Sequence, residues 1–174
     1  MKDLFSVDGK VAIVTGGSRG IGEMIAAGYL ANGAKVYISS RKADVCDATA
    51  KRLGEQFGGE CISLPADMSN LAGIEAFAEE FKARENHLDI LVNNAGVAWG
   101  APLEDFPEMG WDKVMDTNVK GVFFLTQKLL PLLEQKASNT TPTHVINVGS
   151  IDGIKTPVFD NFSYGPSKAA VHHL

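Results

Sequence analysis

A phenol and an ammonium stand four residues apart in Tyr164-Gly165-Pro166-Ser167-Lys168. On a helix that spacing puts them on one face, one turn apart. A free tyrosine has a pKa of about 10, too high for ready proton transfer at neutral pH, and a neighbouring cation favours the phenolate and brings the value down. The pair therefore suits a proton given to an oxygen that is becoming an alkoxide, or taken from an alcohol in the reverse direction. A second spacing, Thr15-Gly16-Gly17-Ser18-Arg19-Gly20-Ile21-Gly22, suits a pyrophosphate. Gly16 permits a tight turn out of a strand, Gly20 lets backbone approach phosphate where a Cβ would intrude, and Gly22 lets the following helix pack closely. Ser18, Arg19 and Ile21 complete the turn, and the helix beyond offers free N–H groups and a partial positive charge at its N-terminus. Together the two spacings point to hydride exchange between a dinucleotide and a carbonyl or alcohol carbon.

The end of the second strand bears on which dinucleotide. A site for NAD places an acid there to accept hydrogen bonds from the ribose 2′-hydroxyl. Here the run is Tyr37-Ile38-Ser39-Ser40-Arg41-Lys42, with Ser40 at the acid's position and Arg41 after it. A carboxylate would repel a 2′-phosphate, whereas a hydroxyl and a guanidinium bind one. With Arg19 approaching from the glycine turn, the expectation is NADP(H).

These groups need a scaffold that brings strand ends together. Residues 10–15, 35–40, 61–64, 88–92 and 144–148 are short apolar, β-branched runs, as strands buried on both faces should be. Between them lie helical patterns at 21–32, 43–57, 69–83 and 111–135, and a last one begins at 163. Ser69 is the expected N-cap of the third helix, and Pro131 should disturb the final turns of the fourth. Strands alternating with helices predict βαβ units, a parallel sheet and right-handed crossovers. Ligand sites in such sheets sit at the carboxyl ends of strands. Ser150 closes the fifth strand, where its hydroxyl can hydrogen-bond a substrate oxygen as charge develops; the plainer reading is a turn cap.

The glycine spacing, Tyr164/Lys168 and Asn93-Asn94-Ala95-Gly96 together resemble the short-chain dehydrogenase/reductase family, over essentially the whole chain. The resemblance implies a three-layer α/β/α fold around a Rossmann-type doubly wound parallel sheet of strand order 3-2-1-4-5, with the last strands missing. It implies that Asp67, followed by Met68, contacts the adenine, that Asn94, Ala95 and Gly96 line the adenosine side, and that Tyr164 and Lys168 also touch the cofactor. It makes Asn118, Ser150, Tyr164 and Lys168 the catalytic set, with Asn118 holding a water that links the lysine to solvent. An asparagine inside a helix is otherwise awkward, because its side chain competes for backbone hydrogen bonds. Val97-Ala98-Trp99-Gly100-Ala101-Pro102 and Ile151-Asp152-Gly153-Ile154 are similar to the 3-oxoacyl-(acyl carrier protein) reductases, including the rhamnolipid-pathway type and fungal relatives. The implied reaction is NADPH-dependent reduction of a ketone, with a 3-oxoacyl thioester as the implied substrate class, to a secondary alcohol. A non-catalytic dinucleotide-binding module and an alcohol or sugar dehydrogenase remain as alternatives.

A net charge of −5 gives no reason to expect nucleic acid, and no apolar stretch is long enough to span a membrane. Residues 1–8 lack the apolar core of a leader, and Cys46 and Cys61 read as reduced thiols of a cytoplasmic protein without a metal site. At 174 residues the expectation is one nucleotide-binding domain over 1–174, incomplete at its C-terminus. The family's lid and later strands are missing, and the apolar face of the last helix should be partly uncovered. Full-length relatives are commonly homo-oligomers, tetramers or dimers.

Overall fold

The computed structural model describes residues 5–174; residues 1–4, the first part of the segment read as lacking a leader, lie outside them. Five strands, β1 (Val11–Thr15), β2 (Lys35–Ser39), β3 (Cys61–Ser63), β4 (Ile90–Asn93) and β5 (His144–Asn147), form one parallel sheet in the order β3-β2-β1-β4-β5. The register sets Thr15 opposite Ser39, and Val92 opposite both Val14 and Ile146. All carboxyl ends therefore meet along one edge.

Side chains alternate across a strand, so the strands covered on both faces feed two cores. Val11, Ile13, Tyr37 and Leu91 face one side, with α3 (Leu71–Lys82) and α5 (Gly121–Glu134) packed on them through Ile74, Phe77, Phe81, Leu125 and Leu129. Ala12, Val14, Val36 and Ile38 face the other, under α1 (Gly20–Ala31) and α2 (Ala43–Phe57), with Ala26, Leu30, Cys46 and Leu53. The result is the expected three-layer α/β/α arrangement.

Three local expectations are corrected. The side chain capping α3 is Asn70, whose Oδ1 accepts from the Gly73 N–H at 2.8 Å; the Ser69 N–H instead donates to Asp67 Oδ1 at 3.0 Å, which turns the chain before the helix begins. The single helix expected at 111–135 starts earlier, as α4 (Glu108–Met115), and passes through a wide π-helical turn at Asp116–Lys120 before continuing as α5. Pro131 sits on the exposed side of α5, which runs on to Glu134. The last helix, α6 (Tyr164–His173), buries Val171 where it packs against a 3-10 turn at Ile151–Gly153, while Ala169 and Ala170 are half-buried and Leu174 beyond it is exposed, so its apolar side is covered in part. Apolar surface is also uncovered on β5, where Val145 and Ile146 are 42% and 43% exposed.

Candidate active site

The carboxyl ends of β1, β2 and β4 open on a cavity of about 490 Å³. Gly16, Ser18, Arg19, Gly20, Ile21 and Gly22 form one wall. Ser40 and Arg41 border it beyond β2, Asp67 and Met68 beyond β3, and Asn94, Ala95 and Gly96 beyond β4. Every residue expected to hold the nucleotide is thus gathered there except Tyr164 and Lys168.

The glycine turn is built for close approach. Gly20 has φ +58°, a conformation that side chains other than glycine rarely adopt, and an added Cβ would meet no protein atom within 4 Å. The open space beside it belongs to the cavity. Gly22 is different: a Cβ there would collide with the Gly16 carbonyl and the Asn94 amide, so the helix can approach the turn only through glycine. Arg19, the N-cap of α1, is in extended backbone and makes no side-chain cap hydrogen bond. The first N–H groups of α1 therefore border the cavity without a side-chain acceptor, as a phosphate would need.

Thr15 organises the wall. Its buried hydroxyl donates to the Val92 carbonyl at 3.2 Å and accepts from the N–H groups of Asn94 and Ala95 at 3.0 and 2.9 Å. Asn94 answers through Nδ2, which donates to the carbonyls of Thr15 at 2.9 Å and Gly16 at 3.4 Å. The two strand ends are locked together, so the cavity exists before a ligand arrives. Arg19, Arg41 and Lys42 border it with no carboxylate partner among the described residues. Ser39 adds a hydroxyl that is 1% exposed and unpartnered among the described residues. An anion with several oxygens fits that donor set. Ser39, Lys42, Val45, Ala66, Val97 and Thr117 also line the cavity and were not in the expected set. Lys42 was recognisable as a third cation beside Arg41; the others carry no residue-type signal.

The residues expected to transfer the proton lie beside this wall. Lys168 is 5% exposed; its ammonium donates to the Val148 carbonyl at 2.6 Å and lies 5.8 Å from the centre of the Tyr164 ring. Burial pulls its pKa below the ordinary lysine value. It adjoins Gly96, where a Cβ would be 3.7 Å from Nζ, and so reaches the cavity wall. Asn118 sits in the π-helical turn, 1% exposed. Its Oδ1 accepts from the Val97 N–H and its Nδ2 donates to the Val97 carbonyl, both at 2.9 Å. Nδ2 also donates to Ser167 Oγ at 3.0 Å, and Ser167 Oγ donates to the Tyr164 carbonyl at 2.7 Å. The side chain of Asn118 thus ties the loop after β4 to the first turn of α6. The Ser150 hydroxyl accepts from the Asp152 N–H at 3.2 Å as a turn cap and keeps its own proton to donate. Its turn is held against α6 where Gly165 meets the Asp152 carbonyl. Neither Ser150 nor Tyr164 lines the cavity itself.

Cys46 and Cys61 are free thiols; Cys46 donates to the Ile38 carbonyl at 3.5 Å, and burial pushes the Cys61 pKa up to about 12. Among the described residues no helix is long and apolar enough to cross a membrane, and no cluster of three or more His, Cys, Asp or Glu side chains could hold a metal ion.

Residues 10–174 match the family described as short chain dehydrogenase. The chain belongs to that family. Short-chain dehydrogenases are nicotinamide-dependent oxidoreductases. The chain is 51% identical, over all 174 residues, to the rhamnolipids biosynthesis 3-oxoacyl-(acyl-carrier-protein) reductase of Pseudomonas aeruginosa, covering 67% of that protein. It is 40% identical over 150 residues, 86% of its length, to a short-chain dehydrogenase/reductase of Armillaria gallica, of which it covers 48%. The solved Pseudomonas aeruginosa RhlG/NADP active-site complex superposes with a TM-score of 0.94 at 50% identity, covering 99% of this chain and 67% of that one. The chain thus spans between about half and two thirds of the length of these family members.

Proposed function

We propose that this chain carries the nucleotide site and the proton-transfer residues of an NADPH-dependent ketone reductase whose substrate class is a 3-oxoacyl thioester. The observation that carries the nucleotide half is that Arg19, Arg41 and Lys42, without carboxylate partners among the described residues, border the same cavity as the uncapped N-terminus of α1. Phosphates of a dinucleotide satisfy both features, and a 2′-phosphate accounts for cations where an acid would serve NAD. The NADP complex of the Pseudomonas aeruginosa relative supports the choice, and that relative's name supports the thioester.

Bound NADPH supplies the hydride. Tyr164 Oη gives its proton to the substrate oxygen as the carbonyl carbon is reduced. Lys168 favours the resulting phenolate with its charge, beside the cavity wall at Gly96. The free proton of Ser150 Oγ donates to the same substrate oxygen and stabilises its developing charge. Asn118, through Val97 and Ser167, fixes the loop and helix that carry these groups.

The direct test is a fluorescence titration of the chain with NADPH and, in parallel, NADH. Saturable binding that favours NADPH by about tenfold or more is expected for a charge-assisted phosphate contact. Binding of neither nucleotide, or a preference for NADH, overturns the assignment.

A further inference from the structure

Thr49 lies on the inner face of α2, 6% exposed, alongside Cys46, Ala50 and Leu53. A threonine hydroxyl within a helix commonly turns back to a carbonyl one turn earlier. That of Thr49 leaves its helix and donates to the Ser18 carbonyl, 3.0 Å away and 31 residues earlier in the chain. Ser18 is at the middle of the glycine turn and immediately precedes Arg19. The turn has a second tether, from the Gly17 N–H to the Ser39 carbonyl at 3.1 Å. Ser39 ends β2 and Thr49 stands in α2, so the two tethers bracket the corner formed by Ser40, Arg41 and Lys42. That corner is closed by the Ser40 hydroxyl, which donates to the Lys42 carbonyl at 3.3 Å. The ion pair between Arg52 and Glu23, at 2.7 Å, also joins α1 to α2, but the Arg52 side chain is 51% exposed and water screens the pair. The Thr49 hydrogen bond is buried, and it acts on the peptide next to a cavity cation.

We infer that Thr49 is a positioning residue for cofactor choice: its hydroxyl holds the Ser18–Arg19 peptide against α2, so that Arg19 and the cations of the 40–42 corner converge on one phosphate. The ligand class is a nucleotide with a phosphate on its adenosine ribose, and the inference rests on the nucleotide assignment above. The pyrophosphate itself is served by the backbone of the turn and the start of α1, which NADPH and NADH share. Loss of the Thr49 tether therefore acts unequally on the two nucleotides, because only NADPH carries the group that needs both cationic segments in register.

The experiment is the ratio of NADH to NADPH dissociation constants, measured by fluorescence titration of the full chain as wild type, Thr49→Val and Thr49→Ser. Valine keeps the shape and removes the donor; serine keeps the donor. The ratio is expected to fall by about tenfold in Thr49→Val, almost wholly through weaker NADPH binding, and to stay at the wild-type level in Thr49→Ser. An unchanged ratio, or an equal loss for both nucleotides, overturns the inference. Circular dichroism checks folding, and Thr49→Ala replaces a Thr49→Val chain that does not fold, with the same expectation. If both unfold, the hydroxyl is a determinant of the fold and the specificity role is overturned. A wild-type chain with no NADPH preference overturns the nucleotide assignment itself, a result distinct from a preference that survives Thr49→Val.

Discussion

At the amino ends of the strands, Lys35 reaches Glu60 at 2.8 Å and Glu85 at 3.0 Å, Tyr37 donates to Glu85 at 2.7 Å, and Lys10 meets Asp89 at 3.2 Å. At the carboxyl ends, Arg19, Arg41 and Lys42 have no such partners among the described residues, and a buried Ser39 hydroxyl goes unbonded. Both edges belong to one sheet and carry similar side chains. The first has matched donors and acceptors and behaves as structure. The second holds exposed cations without carboxylate partners among the described residues, a donor set left free for an anionic ligand.

Four changes test whether stability and binding are as separate as the two edges imply. Tyr164→Phe has the largest expected effect: NADPH-dependent reduction of a 3-oxoacyl ester should slow by about 10²–10⁴-fold. NADPH affinity and melting temperature should hold, because the phenolic oxygen is outside the cavity lining. Gly22→Ala deliberately joins the two properties. Its Cβ meets backbone that cannot yield, so stability should drop by about 1–3 kcal/mol in denaturant titrations and nucleotide affinity should fall with it. Arg41→Asp should leave stability alone and reduce the preference for NADPH over NADH by about tenfold or more in parallel titrations. Tyr37→Phe is the smallest and concerns only the paired edge. Glu85 keeps Lys35, so the loss should be about 1 kcal/mol, with NADPH affinity unchanged.

The paired edge also predicts a pH profile. Burial works to raise the Glu85 pKa, but hydrogen bonds from Tyr37 and Lys35 outweigh it and hold the carboxyl below its ordinary value. A depressed carboxylate stabilises the fold above its unfolded pKa, about 4.3, and that contribution disappears as pH falls through the folded value. Hydrogen bonds to Glu60 and Glu85 raise the Lys35 pKa above 10.5, so its contribution is complete below that pH and is lost as pH rises through the folded value. Burial, with Glu85, pushes Tyr37 to about 12, which keeps it a neutral donor across this window. Thermal melts across pH should therefore show a plateau in this contribution that Tyr37→Phe lowers and shortens at its acid end.

The strands and their parallel arrangement were legible because apolar runs, helical patterns and glycine turns are local signals, written within a few residues; the strand order came from the family resemblance. The cavity wall was legible for the same reason: Gly16, Gly20, Gly22, Arg19 and Arg41 border the cavity at the positions where they stand in the chain. Thr49 left no trace in the sequence, since its partner lies 31 residues away. Ser69 and Asn70 are equally good caps by residue type, and only the claim of Asp67 on the Ser69 N–H decides between them. Asn118 was conspicuous inside a helical pattern, but the wide turn that accommodates it changes only which carbonyl each N–H reaches.

That wide turn also governs how the segment can evolve. Gly110, Val114, Asn118 and Val122 are all buried and follow one another at intervals of four. In an ordinary helix of about 3.6 residues per turn each such step drifts by about 40°. Asp116–Lys120 absorbs the drift, as an added washer resets the phase of a screw. The segment can therefore exchange residue types freely on its outer side, yet a gene that loses one codon here would swing Leu125, Leu129 and Leu133 out of the core they fill. On that outer side of the stretch between Gly110 and Val122, length matters more than residue identity.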